Sequence, residues 1–139
     1  MFRHILVPTD LTDRSLKAME IALKMAGDTS CRVTLLHVIE TIEDSDEKEF
    51  DEFYRRLRKR ALRRMDRMVQ LFSDAASGIV TEICFGKRVR EIVRYAGVEN
   101  VDLIVLSSHR IDVENPMQGW GTISYKVSVL SHCPVMLIK

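Results

Sequence analysis

Two places in this 139-residue chain gather side chains able to hold a ligand. One is Ser107-Ser108-His109-Arg110, which follows the apolar run Leu103-Ile-Val-Leu106 and leads through a polar loop to Trp120-Gly121-Thr122. Hydroxyls, an imidazole and a guanidinium donate to anions, and a Gly-Thr opening a helix adds free backbone amides. The other is Pro8-Thr9-Asp10, where the apolar run Ile5-Leu-Val7 breaks into polar residues. Asp10 can accept from an amino group or a hydroxyl. Alternatively Asp10 or Thr12 caps the helix that follows.

Catalytic arrangements are missing from the sequence. There is no G-x-S-x-G elbow, and no H-x-G-H motif of the kind nucleotidyl-transferring enzymes use. Ser107 or Ser108 beside His109 makes no triad, because adjacent residues at a strand end point apart. Gly86-Lys87 lacks the upstream glycine of a phosphate-binding P-loop and reads as a helix start. His4, His37, His109 and His132 lie at no metal-ligand spacing. His37, in the middle of an apolar run, reads as a buried histidine with its hydrogen bonds satisfied. No catalytic residue and no metal ligand is assigned. The loop offers no evident general base, so at most slow hydrolysis of a bound phosphate compound is expected of it.

The elements that must position these residues alternate. Strand patterns cover 5–10, 33–39, 79–84, 102–106 and 134–138, apolar enough to be buried on both faces. Helical spacing recurs between them. Leu16, Met19, Leu23 and Ala26 form one stripe stopped by Gly27, and Val89, Ile92, Val93 and Ala96 another stopped near Gly97. The last helix spans 121–130. Five strands alternating with helices predict a parallel sheet with right-handed crossovers and helices on both faces. This is one α/β domain over residues 1–139.

Composition excludes several partners. A net charge of +1 with 29% charged residues gives no global basic bias, so no nucleic-acid partner is expected. No apolar run approaches the roughly 20 residues that span a bilayer, so neither is a membrane. The opening Met1-Phe-Arg-His-Ile-Leu-Val7 enters a strand pattern without the layout of a signal peptide. Cys31, Cys84 and Cys133 are far apart and read as reduced thiols of a cytoplasmic protein. Eight acids between Glu40 and Glu52 precede eight bases between Arg55 and Arg67 on one long amphipathic helix. The basic run reads as a solvated face neutralised by its own acids, with pairs at Asp51–Arg55 and Glu52–Arg56.

In a doubly wound sheet of order 3-2-1-4-5, the ligand crevice lies at the C-terminal ends of strands one and four. That brings Pro8-Thr9-Asp10 opposite Ser107 to Arg110. Together with Leu35-Leu-His-Val38, Val101-Asp-Leu-Ile-Val-Leu106 and Ser131-His-Cys-Pro-Val135, these segments make the whole chain resemble the universal stress protein family. The resemblance implies the 3-2-1-4-5 order, a homodimer formed through the last strand and a cytoplasmic role in surviving stress. It also implies that Pro8, Thr9, Asp10 and Val38 contact an adenosine, and that Ser107, Ser108, His109, Arg110, Gly121 and Thr122 form the phosphate loop. The ligand would be ATP or another adenine nucleotide, with Mg2+ or Mn2+ beside a triphosphate.

The ATP-binding branch of that family carries G-x2-G-x9-G-[ST], and here the chain departs from it. Ser107 and Arg110 replace the first two glycines, and Gly121-Thr122 comes one residue late. Glycine permits positive φ and close approach of the backbone to phosphate, whereas Arg110 fills that space but is itself a phosphate partner. Acids in Ile111-Asp-Val-Glu-Asn-Pro-Met-Gln118 further disfavour a bare triphosphate. Two readings therefore stand: a regulator with a weak or altered adenine-nucleotide site, or a nucleotide-free dimer acting through an unidentified protein partner. The dimer expectation has a physical basis in Val135, Met136, Leu137 and Ile138, an apolar strand that leaves an open sheet edge in a monomer.

Overall fold

The computed structural model describes residues 1–27, 30–42, 47–72, 78–108, 113–114 and 122–139. In chain order the elements are β1 (His4–Pro8), α1 (Arg14–Ala26), β2 (Arg32–Ile39), α2 (Glu47–Gln70), β3 (Ile79–Phe85), α3 (Arg88–Val98), β4 (Leu103–Ser107), α4 (Ile123–Leu130) and β5 (Val135–Ile138). The strands pair in the order β3-β2-β1-β4-β5, every pair parallel. β1 is central, and the strand order reverses between β1 and β4.

Alternation along each strand assigns the two faces. Ile5, Val7, Val33, Leu35, Leu103 and Val105 pack with Ala18, Met19 and Ala22 of α1 and Met65 and Met68 of α2. Leu6, Leu36, Val38, Ile104 and Leu106 face the other way, onto Ile92 and Ala96 of α3 and Val127 of α4. Alanines on α1 let its backbone sit close to the sheet. Methionines on α2 fill the wider gap beyond it. Burying such apolar surface stabilises by roughly 25 cal/mol per Å2.

The local ends differ in places from expectation. α1 begins after Asp13, whose side chain makes no cap hydrogen bond, so neither Asp10 nor Thr12 caps the helix. α3 runs through Gly97 to Val98 and ends where Asn100 adopts a left-handed φ of 54°. The single Gly97 costs too little to break a helix that packing holds. Gly27 does close α1, at φ 60°. At the β3–α3 corner Gly86 has φ 144°, and a Cβ there would stand 2.8 Å from Cγ of Glu91.

Among the described residues, one of the two ion pairs expected on α2 is present. Glu52 engages Arg56 at 3.1 Å, yet among the described residues no carboxylate lies within ion-pairing distance of Arg60, Arg63 or Arg67. Glu52 lies eight residues, about 12 Å, before Arg60 along the helix, and Asp66, next to Arg67, is not within ion-pairing distance of the three arginines.

Candidate functional site

The β1–α1 turn is held by a directional chain of hydroxyls. Ser15 Oγ donates to the Thr12 carbonyl at 2.8 Å, which uses its only proton. Thr9 must therefore donate to Ser15 across their 2.6 Å contact, and Thr9 Oγ1 in turn accepts from the Leu11 amide at 3.0 Å. Both side chains are buried, Thr9 at 8% and Ser15 at 1% exposure. The chain fixes Leu11 at φ 70°, an unusual conformation for a residue with a Cβ. The Thr9 amide continues the sheet by donating to the Leu36 carbonyl.

Asp10 projects from this turn. One carboxylate oxygen accepts from the Thr12 amide and hydroxyl, and the other lies 3.4 Å from Nη2 of Arg14. Burial works to raise its pKa, but the Thr12 bonds and the Arg14 charge outweigh it, and the carboxyl is held below its ordinary value. Asp10 is thus an ionised acceptor at neutral pH.

The opposite wall comes from β4, β5 and the start of α4. Ser107 Oγ donates to the Arg14 carbonyl at 2.9 Å, locking β4 to the first turn of α1. The Ser108 amide donates to the Ile138 carbonyl, and its hydroxyl lies 3.2 Å from Ser124 Oγ. Ser124 also lies 3.2 Å from Thr122 Oγ1. Thr122 is the N-cap of α4 and accepts from the Tyr125 amide, as a Thr before a helix should.

Between these walls lies a cavity of about 630 Å3. Its apolar side is made by Leu36, Val38, Ile92 and Leu106, and its polar side by Thr9, Asp10, Ser108, Thr122 and Ser124. Among the described residues four cations, Arg14, Lys17, Arg88 and Lys139, line it against the two acids Asp10 and Asp13. An apolar slot leading to hydroxyls, a helix start and excess positive charge suits a flat heterocycle carrying an anionic tail.

Seven of the ten expected binding residues line this one cavity: Pro8, Thr9, Asp10, Val38, Ser107, Ser108 and Thr122. His109, Arg110 and Gly121 lie outside the described residues, as do Trp120 and most of the acidic loop. Ser15, Ser124, Lys17 and Arg88 were not legible as site residues. Ser124 alone had a signal, a hydroxyl two residues past the expected helix cap. Among the described residues, no three His, Cys, Asp or Glu side chains are grouped to hold a metal ion. No described helix is long and apolar enough to cross a membrane. Among the described residues β5 pairs only with β4 and is the last strand of the sheet, and Val135, Met136, Leu137 and Ile138 are all partly exposed.

The sequence profile describing the universal stress protein family matches residues 1–139. The chain belongs to the universal stress protein family. Universal stress protein YxiE of Bacillus subtilis is 28% identical over 149 residues, with both chains covered in full. Among solved structures, hypothetical protein MJ0577 is 28% identical with a TM-score of 0.81, covering 100% of this chain and 96% of that one. A universal stress protein from Archaeoglobus fulgidus, solved in complex with dAMP, shares the fold at 17% identity and a TM-score of 0.65, covering 99% and 98%. The five-stranded 3-2-1-4-5 sheet found here is the fold of these universal stress proteins.

Proposed function

We propose that this universal stress protein is a cytoplasmic stress-response regulator whose crevice binds an adenine nucleotide with the base against Val38 and the phosphate toward Thr122. The observation that carries the reading is the convergence of Thr9, Asp10, Val38, Ser108 and Thr122 on one cavity at the point where strand order reverses. The Archaeoglobus fulgidus relative in complex with dAMP supports an adenine monophosphate as ligand class. Ser107 and Arg110 in place of loop glycines favour a short phosphate tail over ATP. A triphosphate would bring Mg2+ or Mn2+ to offset nearby carboxylates. On this reading the protein acts by binding and not by efficient turnover.

One observation favours a protein-contact role alongside. α4 leaves Tyr125, Val129 and Leu130 exposed, at 40%, 62% and 56%, beside the outer edge of β5. A second copy pairing with Val135 to Ile138 would cover that edge, giving a homodimer. Sedimentation at micromolar concentration checks this, and a monomer would remove the assignment.

The nucleotide reading is tested by denaturing freshly purified protein, identifying released nucleotide by mass spectrometry, and titrating ATP, ADP and AMP by calorimetry. The expected result is co-purified adenine nucleotide, or binding tighter than about 100 µM (roughly −5.5 kcal/mol). Neither nucleotide nor heat would leave the crevice structural and the dimer as the working surface.

A further inference from the structure

A second concavity of about 720 Å3 lies beyond the β1–α1 turn, sharing only Val38 and Arg88 with the nucleotide cavity. Arg60, Arg63, Arg64 and Arg67 sit at helical spacings of 0, 3, 4 and 7, so α2 presents them as one stripe along its wall. Arg88 at the start of α3 completes a set of five guanidiniums around an apolar floor of Leu11, Ile39, Leu57 and Ala61. Among the described residues of the lining the sole carboxylate is Glu40, 3.7 Å from Arg88.

Like charges gathered this closely repel one another, and among the described residues no carboxylate is ion-paired with Arg60, Arg63 or Arg67, with Asp66 the one acid on their stretch of α2. An anion of high charge density relieves that repulsion, and the planar guanidinium fork matches phosphate oxygens in pairs. The stripe from Arg60 to Arg67 is only about 10 Å long, the reach of two or three linked phosphates and not of a nucleic-acid tract. Among the described residues no Phe, Tyr or Trp lines the groove, so these offer no platform for stacked bases. We infer that this groove is a second binding site, for a small multiply charged phosphate anion of the pyrophosphate type, separate from the nucleotide cavity.

Arg64 is already committed, donating through Nε to the Leu11 carbonyl at 3.0 Å and through Nη2 to Asp13 at 2.6 Å. The test therefore uses the exposed pair, as the double variant Arg60→Gln with Arg67→Gln. Inorganic pyrophosphate is titrated calorimetrically into wild type and variant at low salt, with AMP as the probe of the other cavity. The expected result is pyrophosphate binding that weakens at least about tenfold in the variant and falls as salt rises, with AMP affinity unchanged. The melting temperature of wild type should rise with pyrophosphate, while the variant melts no lower than wild type in its absence. Absent pyrophosphate binding, equal binding to both proteins, or binding of a glutamate-rich peptide or RNA without pyrophosphate would each overturn the proposal. Failure of AMP alone would count against the nucleotide cavity and leave this groove standing.

Discussion

Nδ1 of His37 stands 2.9 Å from the carbonyl oxygen of Thr9, so the ring of β2 carries its proton there and donates it to the turn that bears Asp10. The bond fixes the tautomer, and it makes the neutral imidazole part of the nucleotide cavity's support. Burial pushes the His37 pKa down. The bond to Thr9 works against that shift, and the charge of Arg88 adds to it.

Because the folded pKa lies below the unfolded one, near 6.5, the unfolded chain takes up the proton first as pH falls. Stability should be highest above that value and decline as pH drops below it toward the folded pKa. His37→Gln should lose this part of the slope in urea titrations between about pH 7 and 5. His37→Ala should cost about 1–3 kcal/mol by orphaning the Thr9 carbonyl, and should weaken AMP binding.

Ser15→Ala tests the hydroxyl chain. It removes the acceptor for the Thr9 proton inside a closed corner, so a loss of about 1–2 kcal/mol in chemical denaturation is expected. Nucleotide affinity should fall with it, since Leu11 and Asp10 depend on the same turn. Full affinity in a destabilised variant would separate the two roles.

Gly86→Ala tests the β3–α3 corner. A φ of 144° is costly for any side chain, and the new methyl meets Glu91, which is held by Arg94 at 2.9 Å. The expected loss exceeds about 1 kcal/mol, read from a shifted urea midpoint with an unchanged slope.

Asp102 accepts the amides of Arg3 at 2.8 Å and His4 at 3.0 Å, tying the start of β1 to that of β4. Burial acts to raise its pKa, but the two amides outweigh it and hold the carboxyl low. Its contribution is present at neutral pH and disappears as pH falls through the folded value, below about 4. Asp102→Ala should cost about 1–2 kcal/mol at pH 7 and markedly less at pH 3, measured as the difference from wild type.

Both faces of the sheet were legible because Ile5 to Val7 and Leu103 to Leu106 are apolar without interruption and Val33 to Ile39 is apolar but for Thr34 and His37, as doubly covered strands are. The strand order came from the family resemblance. Pro8, Thr9 and Asp10 were legible as cavity-lining residues through topology, since the reversal of strand order fixes where the ends of β1 and β4 meet, whereas Val38 on β2 came from the family resemblance. Ser15 and Arg88 were not. Each reaches the cavity from a helix start whose side-chain direction depends on packing, and no local pattern distinguishes it from a surface residue. The Glu52–Arg56 pair was legible from its i, i+4 spacing.

The Ser107 hydroxyl holding the Arg14 carbonyl joins residues 93 positions apart. The cavity they border therefore has no partial form during folding, because a chain with only β1, α1 and β2 assembled owns one wall and no mouth. Closing it waits for the slow, long-range step that docks β4 beside β1. A bound nucleotide would then slow the departure of β4 from the sheet and prolong the life of the folded chain, which makes ligand supply a determinant of how long each molecule survives.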